Sequence, residues 1–378
     1  MDFDLTIEQK LIKNSAREFF AKEIDKDYVR EMIKDEKGFT TEIWRKMANL
    51  GWMGLLVPDQ YGHLEMSFLD MAVLLQEMAY ACFPGPFFST AVLGVVTLVE
   101  GGTNDQKKAI LPKVVSGDHL LTLAWTEKDG IYTGKGVSLS AIAEKGYYLL
   151  SGTKLFVPDA HLADTIICVT RTARELGIEN SGLSVFALDR GSKGITINLL
   201  ENFTGLKLCE VIFDRVKVPA SGLIGEVDRG WNVLKKVFAK ASVAKCAEMI
   251  GGAERVLEMT IEHAKKRVQF GRPVGSFQAI QHHCANMLTS LETSKFMTYQ
   301  ACWRISNGLP FEKEASMSKA WVSESYKHLV ALGHQVMGGL GFMEEIDLNL
   351  YFNRAKAAEL AFGDADLHKE FVAQALKL

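Results

Sequence analysis

The feature that most constrains this 378-residue chain is a change of period along its length. From Thr6 to about Ser116 the apolar residues recur at helical spacing. From about Gly117 to Gly230 they come in short runs separated by Gly, Asp, Asn and Ser, and after Trp231 the long helical spacing returns. Period 3.6 and short strand-like runs cannot share one layer, so a chain ordered this way divides. The expected fold is mainly α, in the α+β class: a helical domain over 1–116, a central β domain over 117–230 and a helical bundle over 231–378. Its length agrees, since about 150 residues per domain allows two or three.

Local signals fill in this outline. Thr6 can cap a helix, with Gln9 three residues on in capping-box position. A second helix is expected from Thr41 to Leu50, ended by Gly51, and a turn-rich loop over Val57–Gly62. An apolar helix from Ser67 to Tyr80 should stop at Pro84-Gly85-Pro86. Strands are expected at Leu120–Trp125, Tyr147–Leu150, Thr165–Thr170, Leu183–Leu188, Ile195–Leu200 and Glu210–Val216. No helix separates them, which favours an antiparallel barrel or sandwich over a parallel βαβ sheet. Leu234, Val237, Phe238, Ala241 and Ala244, then Ile280, Cys284, Met287 and Leu291, keep helical spacing in segments long enough for a bundle.

Composition removes several functions. Lys+Arg 43 against Asp+Glu 46 leaves a net charge of −3, without the basic footprint of a nucleic-acid binder. The uncharged run Met78–Val99 is broken by the two prolines, and Phe87–Val99 falls short of the roughly 20 residues a membrane helix needs. The acidic start, Met1-Asp-Phe-Asp-Leu5, lacks the apolar core of a secretory signal. Six scattered cysteines without a Cys-x-x-Cys pair suit buried thiols and a cytoplasmic location. Walker, Rossmann, His-Glu-x-x-His and Gly-x-Ser-x-Gly motifs are missing. His282 and His283 point about 100° apart on a helix, which suits a surface or packed pair better than a metal.

Three stretches stand above this background. Arg267–Gln281 reads as a helix ending at Gly271, a Pro273 that forbids continuation, and a second helix from near Ser276. Arg267 and Arg272 crowd the joint, where guanidinium groups could hold phosphate, although a solvated inter-helix loop looks the same. Gln335-Val-Met-Gly-Gly-Leu-Gly-Phe342 follows an apolar helix; its glycines could bring backbone close to a pyrophosphate or could simply end the helix. Leu123-Ala-Trp-Thr-Glu127 closes a strand, where a flat ring could be met by backbone and hydroxyl, or where Trp125 is simply buried.

In this order the three stretches resemble the acyl-CoA dehydrogenase family, and the resemblance extends to Leu50-Gly-Trp-Met-Gly-Leu-Leu-Val-Pro58 and Asn353-Arg-Ala-Lys356. It implies an N-terminal helical domain, a central β domain and a C-terminal four-helix bundle. It further implies FAD, with the flavin against Leu123, Trp125, Thr126 and Phe156. The ADP part would be held by Arg267, Gln269 and Phe270, with Gln335, Gly338 and Gly339 from a second subunit. The substrate implied is an acyl-CoA, the assembly a homotetramer or a heterotetramer with a related subunit, and the electron acceptor an electron-transferring flavoprotein.

The same resemblance exposes departures. The family's carboxylate removes the thioester α proton while the β hydrogen leaves as hydride. Its Tyr-Glu-Gly-Thr motif is matched by Ala361-Phe-Gly-Asp364, so the glutamate position holds Phe362. The alternative base position on the first bundle helix falls near Ala241 and Ser242, also without a carboxylate, and the arginine expected beside it is missing. Pro158 replaces a flavin-bonding Thr, and Lys128-Asp-Gly-Ile-Tyr132 replaces a Gly-Ser-Asp loop. Asp364 is the nearest substitute base. Asp364 and Asp366 equally read as charge at a helix N-terminus, Glu359 reads as a solvated face, and His368 lies toward the cofactor end. Three functions remain in view: an enzyme with Asp364 as atypical base, a base-less subunit of a heteromeric dehydrogenase, or a scaffold without redox role. Retention of Arg267, Phe270 and the Gln335–Gly341 turn speaks against the last.

Overall fold

A computed structural model describes residues 4–62, 66–173 and 180–378; residues 1–3 of the acidic start lie outside the described residues. The chain forms two compact units. One comprises Met1–Glu31, Ser67–Phe83 and Ala239–Leu378, the other Met32–Met66 and Pro84–Phe238.

The helices of the N-terminal region are α1 (Ile7–Glu23), α2 (Lys26–Lys34), α3 (Thr41–Asn49), α4 (Phe68–Ala81), α5 (Val95–Gly101) and α6 (Asn104–Val115). Capping boxes start three of them. Thr6 with Gln9, Ser67 with Asp70 and Thr103 with Gln106 each satisfy backbone donors reciprocally. Helix α4 is apolar on nearly every face and accordingly buried along almost its whole length. A π-helical segment, Phe88–Gly94, follows Pro84-Gly85-Pro86 and runs into α5.

The second unit carries the sheet: β1 (Leu121–Ala124), β2 (Ser140–Glu144), β3 (Tyr147–Pro158), β4 (Thr165–Arg171), β5 (Leu183–Asp189), β6 (Ile195–Leu200), β7 (Leu208–Pro219) and β8 (Leu223–Ile224). The order is β6-β7-β3-β2-β4-β5-β8, with β1 pairing β4. All six expected strands are present. Most pairings are antiparallel, but β1 runs parallel to β4 along four residue pairs, and β2 meets β4 in parallel at Ser140–Arg171. Strands β2 and β8 escaped the sequence, because β2 is mostly solvent-facing and β8 is only two residues long. The core beneath the sheet includes Leu139, Leu150, Ile166, Phe186, Val211, Phe213 and Val216.

The first unit takes α7 (Gly230–Lys266) from Ala239 onward, with α8 (Gln278–Ser306), α9 (Glu312–Met337), α10 (Leu348–Leu360) and α11 (Ala365–Ala375). Helix α7 meets α4 closely at Gly251, where an added Cβ would lie 1.9 Å from the Gln76 carbonyl oxygen. At Gly252 it would lie 2.2 Å from the Tyr326 hydroxyl of α9. Among the described residues no helix is long and apolar enough to cross a membrane, and no group of three or more His, Cys, Asp or Glu could hold a metal. All six cysteines are free, and all but the half-buried Cys284 are buried.

Candidate functional site

In the sheet unit, β1 carries Leu123 into the interior and delivers Trp125 and Thr126 at its end. The Trp125 ring lies 4.7 Å from Phe238 and 6.0 Å from Trp231, and its Nε1 is buried without a hydrogen-bond partner among the described residues. Leu155 N donates to the Thr126 carbonyl at 2.8 Å, which brings Phe156 alongside. Phe156 sits in a bulge of β3, has a φ of 54° and leaves 54% of itself exposed. Pro158 pairs with Leu208 in the sheet, and Lys128–Ile131 form an exposed turn.

A feature the sequence did not announce supports this corner. Lys154 is fully buried, and its ammonium donates to Glu127 Oε1 at 2.7 Å and to the Trp125 carbonyl at 3.0 Å. Glu127 also accepts from Ser138 N and Leu139 N at 3.0 Å and from the Ser138 hydroxyl. Burial alone would raise the Glu127 carboxyl, but the Lys154 charge and these donors outweigh it and hold it below its ordinary value. Burial likewise lowers the Lys154 ammonium and pushes the nearby Cys168 thiol up to about 12. A lysine at alternate strand position 154 looks solvent-facing in a sequence; only the tertiary pairing reveals it.

In the helical unit the joint after α7 differs from expectation. The helix ends at Lys266, not Gly271, because β9 (Val268–Gln269) pairs with β10 (Arg272–Pro273) in a small hairpin. Phe270 and Gly271 form its two-residue turn with φ values of 54° and 80°, the geometry such hairpins require. Arg267 and Gln269 are exposed, and Phe270 at the tip is 90% exposed. Arg272 stacks 4.2 Å above the Phe277 ring. Beyond α9, whose last turn carries exposed Gln335, Gly338 takes φ 61° and ψ −142°. A Cβ on Gly338 or Gly339 would meet nothing within 4 Å, so this backbone stands open to a ligand, and residue 338 needs glycine for its dihedral angles. Among the described residues no hydrogen bond or ring contact joins the hairpin to the glycine turn.

The turn after α10 holds Phe362 at φ 61°, half-buried, and Gly363 at φ 100°. Asp364 is the N-cap of α11, its carboxylate accepting from Leu367 N at 2.9 Å. Asp366 lies exposed in the first turn of that helix. Glu359 is not the solvated residue expected: its side chain is largely covered and pairs with Lys327 at 2.5 Å and Lys356 at 2.7 Å. On α7, Ala241 and Ser242 are buried, and the Ser242 hydroxyl has no partner among the described residues.

Three domain models of acyl-CoA dehydrogenase match the chain: the N-terminal domain over residues 6–118, the middle domain over 122–216 and the C-terminal domain over 228–377. The chain belongs to the acyl-CoA dehydrogenase family. As a member it is an FAD-dependent oxidoreductase. It is 29% identical over 380 residues to the acryloyl-CoA reductase (NADH) of Anaerotignum propionicum, covering 99% of this chain and 95% of that one. It is also 29% identical to the caffeyl-CoA reductase-Etf complex subunit CarC of Acetobacterium woodii, covering 96% of each. The solved structure of butyryl-CoA dehydrogenase from Megasphaera elsdenii superposes with a TM-score of 0.92 at 26% identity over the whole of both chains.

Proposed function

We propose that this chain is the flavin-carrying subunit of an α,β-oxidoreductase of acyl-CoA thioesters, and that it does not itself supply the base that takes the α proton. The observation that carries this is the Asp364 cap. Its carboxylate is engaged on Leu367 N, while the family's glutamate position holds a phenylalanine and the α7 position holds alanine and serine. An engaged N-cap carboxylate is stabilised where it is and is a poor candidate to swing toward a substrate.

The residues present fit FAD. The flavin would lie against Leu123, Trp125, Thr126 and Phe156, where an exposed aromatic face and the unpartnered Trp125 N–H await a ring with acceptors. Arg267, Gln269 and Phe270 would meet the ADP part, together with Gln335 and the open backbone of Gly338 and Gly339 from a second subunit. When bound between these residues, FAD would supply the acceptor for the hydride that leaves the thioester β carbon. The chain's own contribution is to bind and orient: Leu123 and Trp125 form a dry wall, and the Lys154–Glu127 pair fixes the Trp125 carbonyl.

Exposed Phe270 and Phe342 favour a multi-subunit assembly that covers them, and a related subunit in a heterotetramer would provide the missing base. A homotetramer is the alternative assembly. The name of the Acetobacterium woodii relative points to an electron-transferring flavoprotein as the redox partner.

The test is anaerobic mixing of the FAD-loaded protein with butyryl-CoA, following flavin bleaching. The isolated chain should bind the thioester without rapid bleaching, and Asp364→Asn should behave identically. Rapid bleaching that Asp364→Asn abolishes would overturn the proposal and establish Asp364 as the base.

A further inference from the structure

The turn that carries Phe362 is held by two buried groups. Lys319, on α9, has no exposed surface, and its ammonium donates three hydrogen bonds. They reach Ser323 Oγ at 3.0 Å, the Glu359 carbonyl at 2.9 Å and the Gly363 carbonyl at 2.8 Å. The Glu359 carbonyl lies in the last turn of α10, where a helix terminus must satisfy its carbonyls from outside, and the Gly363 carbonyl belongs to the turn that follows. His368, on α11, is 4% exposed and places Nε2 at 3.1 Å from the Phe362 carbonyl. A carbonyl only accepts, so Nε2 carries the proton; Nδ1 is buried without a partner among the described residues.

These contacts are unusual in what they hold. Residue 362 has a left-handed backbone that L side chains rarely adopt, and a phenylalanine does nothing locally to favour it. The charged and titratable groups facing Lys319 include Lys245 and Cys246 from α7, Glu359 from α10, Asp364 at the N-cap of α11 and His368 within it. Among the described residues none of the carboxylates forms an ion pair with it, so the buried cation spends all its donors on a hydroxyl and the two turn carbonyls. Burial accordingly lowers its ammonium to about 8, and the same burial pushes the His368 imidazole down to about 4.

We infer that Lys319 and His368 are positioning residues that fix the direction of the side chain at 362, and that this presentation survives although the side chain is no longer a carboxylate. The inference rests on the proposal that the 362 turn faces a CoA thioester. A glutamate introduced at 362 would be held where it can take the thioester α proton: the α C–H bond breaks, the carboxylate receives the proton, and in D₂O a deuteron returns to the same carbon.

The experiment uses the FAD-loaded chain with butyryl-CoA in D₂O and three readouts: thioester affinity, deuterium entry at the α carbon, and amide exchange over residues 361–364. Phe362→Glu is expected to gain α exchange at least tenfold over wild type. Adding Lys319→Met or His368→Phe should remove that gain with affinity changed less than twofold. His368→Gln, whose amide can still donate to the Phe362 carbonyl, should keep it. In the otherwise wild-type chain, Lys319→Met should speed amide exchange over 361–364 about tenfold. If Lys319→Met does not fold, the His368→Phe and His368→Gln pair decides. Unchanged amide exchange and an unchanged gain in the Lys319 and His368 variants would overturn the inference. If no variant binds butyryl-CoA, the thioester proposal fails instead, and the amide-exchange comparison still decides whether the two residues hold the turn.

Discussion

The Lys154–Glu127 pair allows the most complete calculation. Lys154→Met keeps the apolar stem and removes the ammonium, so two bonds disappear, to Glu127 at 2.7 Å and to the Trp125 carbonyl at 3.0 Å. Glu127 retains its donors from Ser138 and Leu139 but loses its ion-pair partner in a site where it is 7% exposed. Breaking one side of a buried ion pair costs about 3–5 kcal/mol, because the remaining charge stays desolvated. For a unit of this size each kcal/mol shifts the midpoint by about 2–4 °C, so the sheet unit should melt about 10 °C earlier. The pH dependence has a definite sign. In wild type the Glu127 carboxyl is held below its ordinary 4.5, so its contribution is present above that pH and is lost as pH falls through the lower folded value. In Lys154→Met burial loses its largest opponent and the carboxyl rises, so the variant suffers most at pH 7–8 and the gap to wild type narrows toward pH 4.5. Calorimetry at pH 5 and pH 7.5, with Glu127→Gln and the double variant completing the cycle, measures this. The double variant should lose less than the sum of the single losses, by at least about 1 kcal/mol. A Lys154→Met midpoint within 2 °C of wild type at pH 7.5, or a gap that does not narrow in acid, would refute the reasoning. Since Lys154 also fixes the Trp125 carbonyl, FAD affinity should fall with it.

Two further outcomes test the helical unit. Gly251→Ala drives a Cβ to 1.9 Å from the Gln76 backbone oxygen, which cannot rotate away, so α4 and α7 must separate. Urea unfolding should show a loss of about 3 kcal/mol, at the upper end of overpacking costs. His368, whose imidazole is pushed by burial from 6.5 to about 4, binds fewer protons folded than unfolded, so its contribution fades as pH falls from 6.5 to 4. Unfolding measured across that window should lose about 3 kcal/mol on its account, and His368→Gln should flatten the slope.

The outline of the fold was legible because its signals are local. Thr6 with Gln9 starts a helix in the structure as it does on paper, the apolar helix expected over Ser67–Tyr80 is present as Phe68–Ala81, and the six strong β runs are all strands. The misreadings came where short-range chemistry was outvoted. Arg267–Gly271 continues the apolar period of α7, yet Phe270-Gly271 turns with positive φ at both positions and draws Gln269 and Arg272 into a hairpin. Strand β2 was missed because four of its five residues are at least partly solvent-facing and give no alternation to detect.

The candidate site divides along the same line, and the division bears on function. The candidate positions, Trp125, Arg267, Phe270, the Gln335–Gly341 turn and Phe362, are picked out by motif and by resemblance to the family. The groups that hold those positions are not: Lys154 is 27 residues from Glu127, and Lys319 is 44 from Gly363. Neither lysine carries a sequence cue that separates it from a solvated one. Both are buried cations, and each is offset by partners that only the fold brings near: Glu127 and the Trp125 carbonyl for Lys154, Ser323 Oγ and two carbonyls for Lys319. The turn that carries Phe362 has left-handed geometry, the Lys319 bonds and the His368 bond, so that side chain sits on an ordered support. An ordered support beneath a phenylalanine agrees with the proposed subunit, which would hold a flavin and a thioester while the α proton is taken elsewhere; a scaffold without a ligand would place no such demand on the turn.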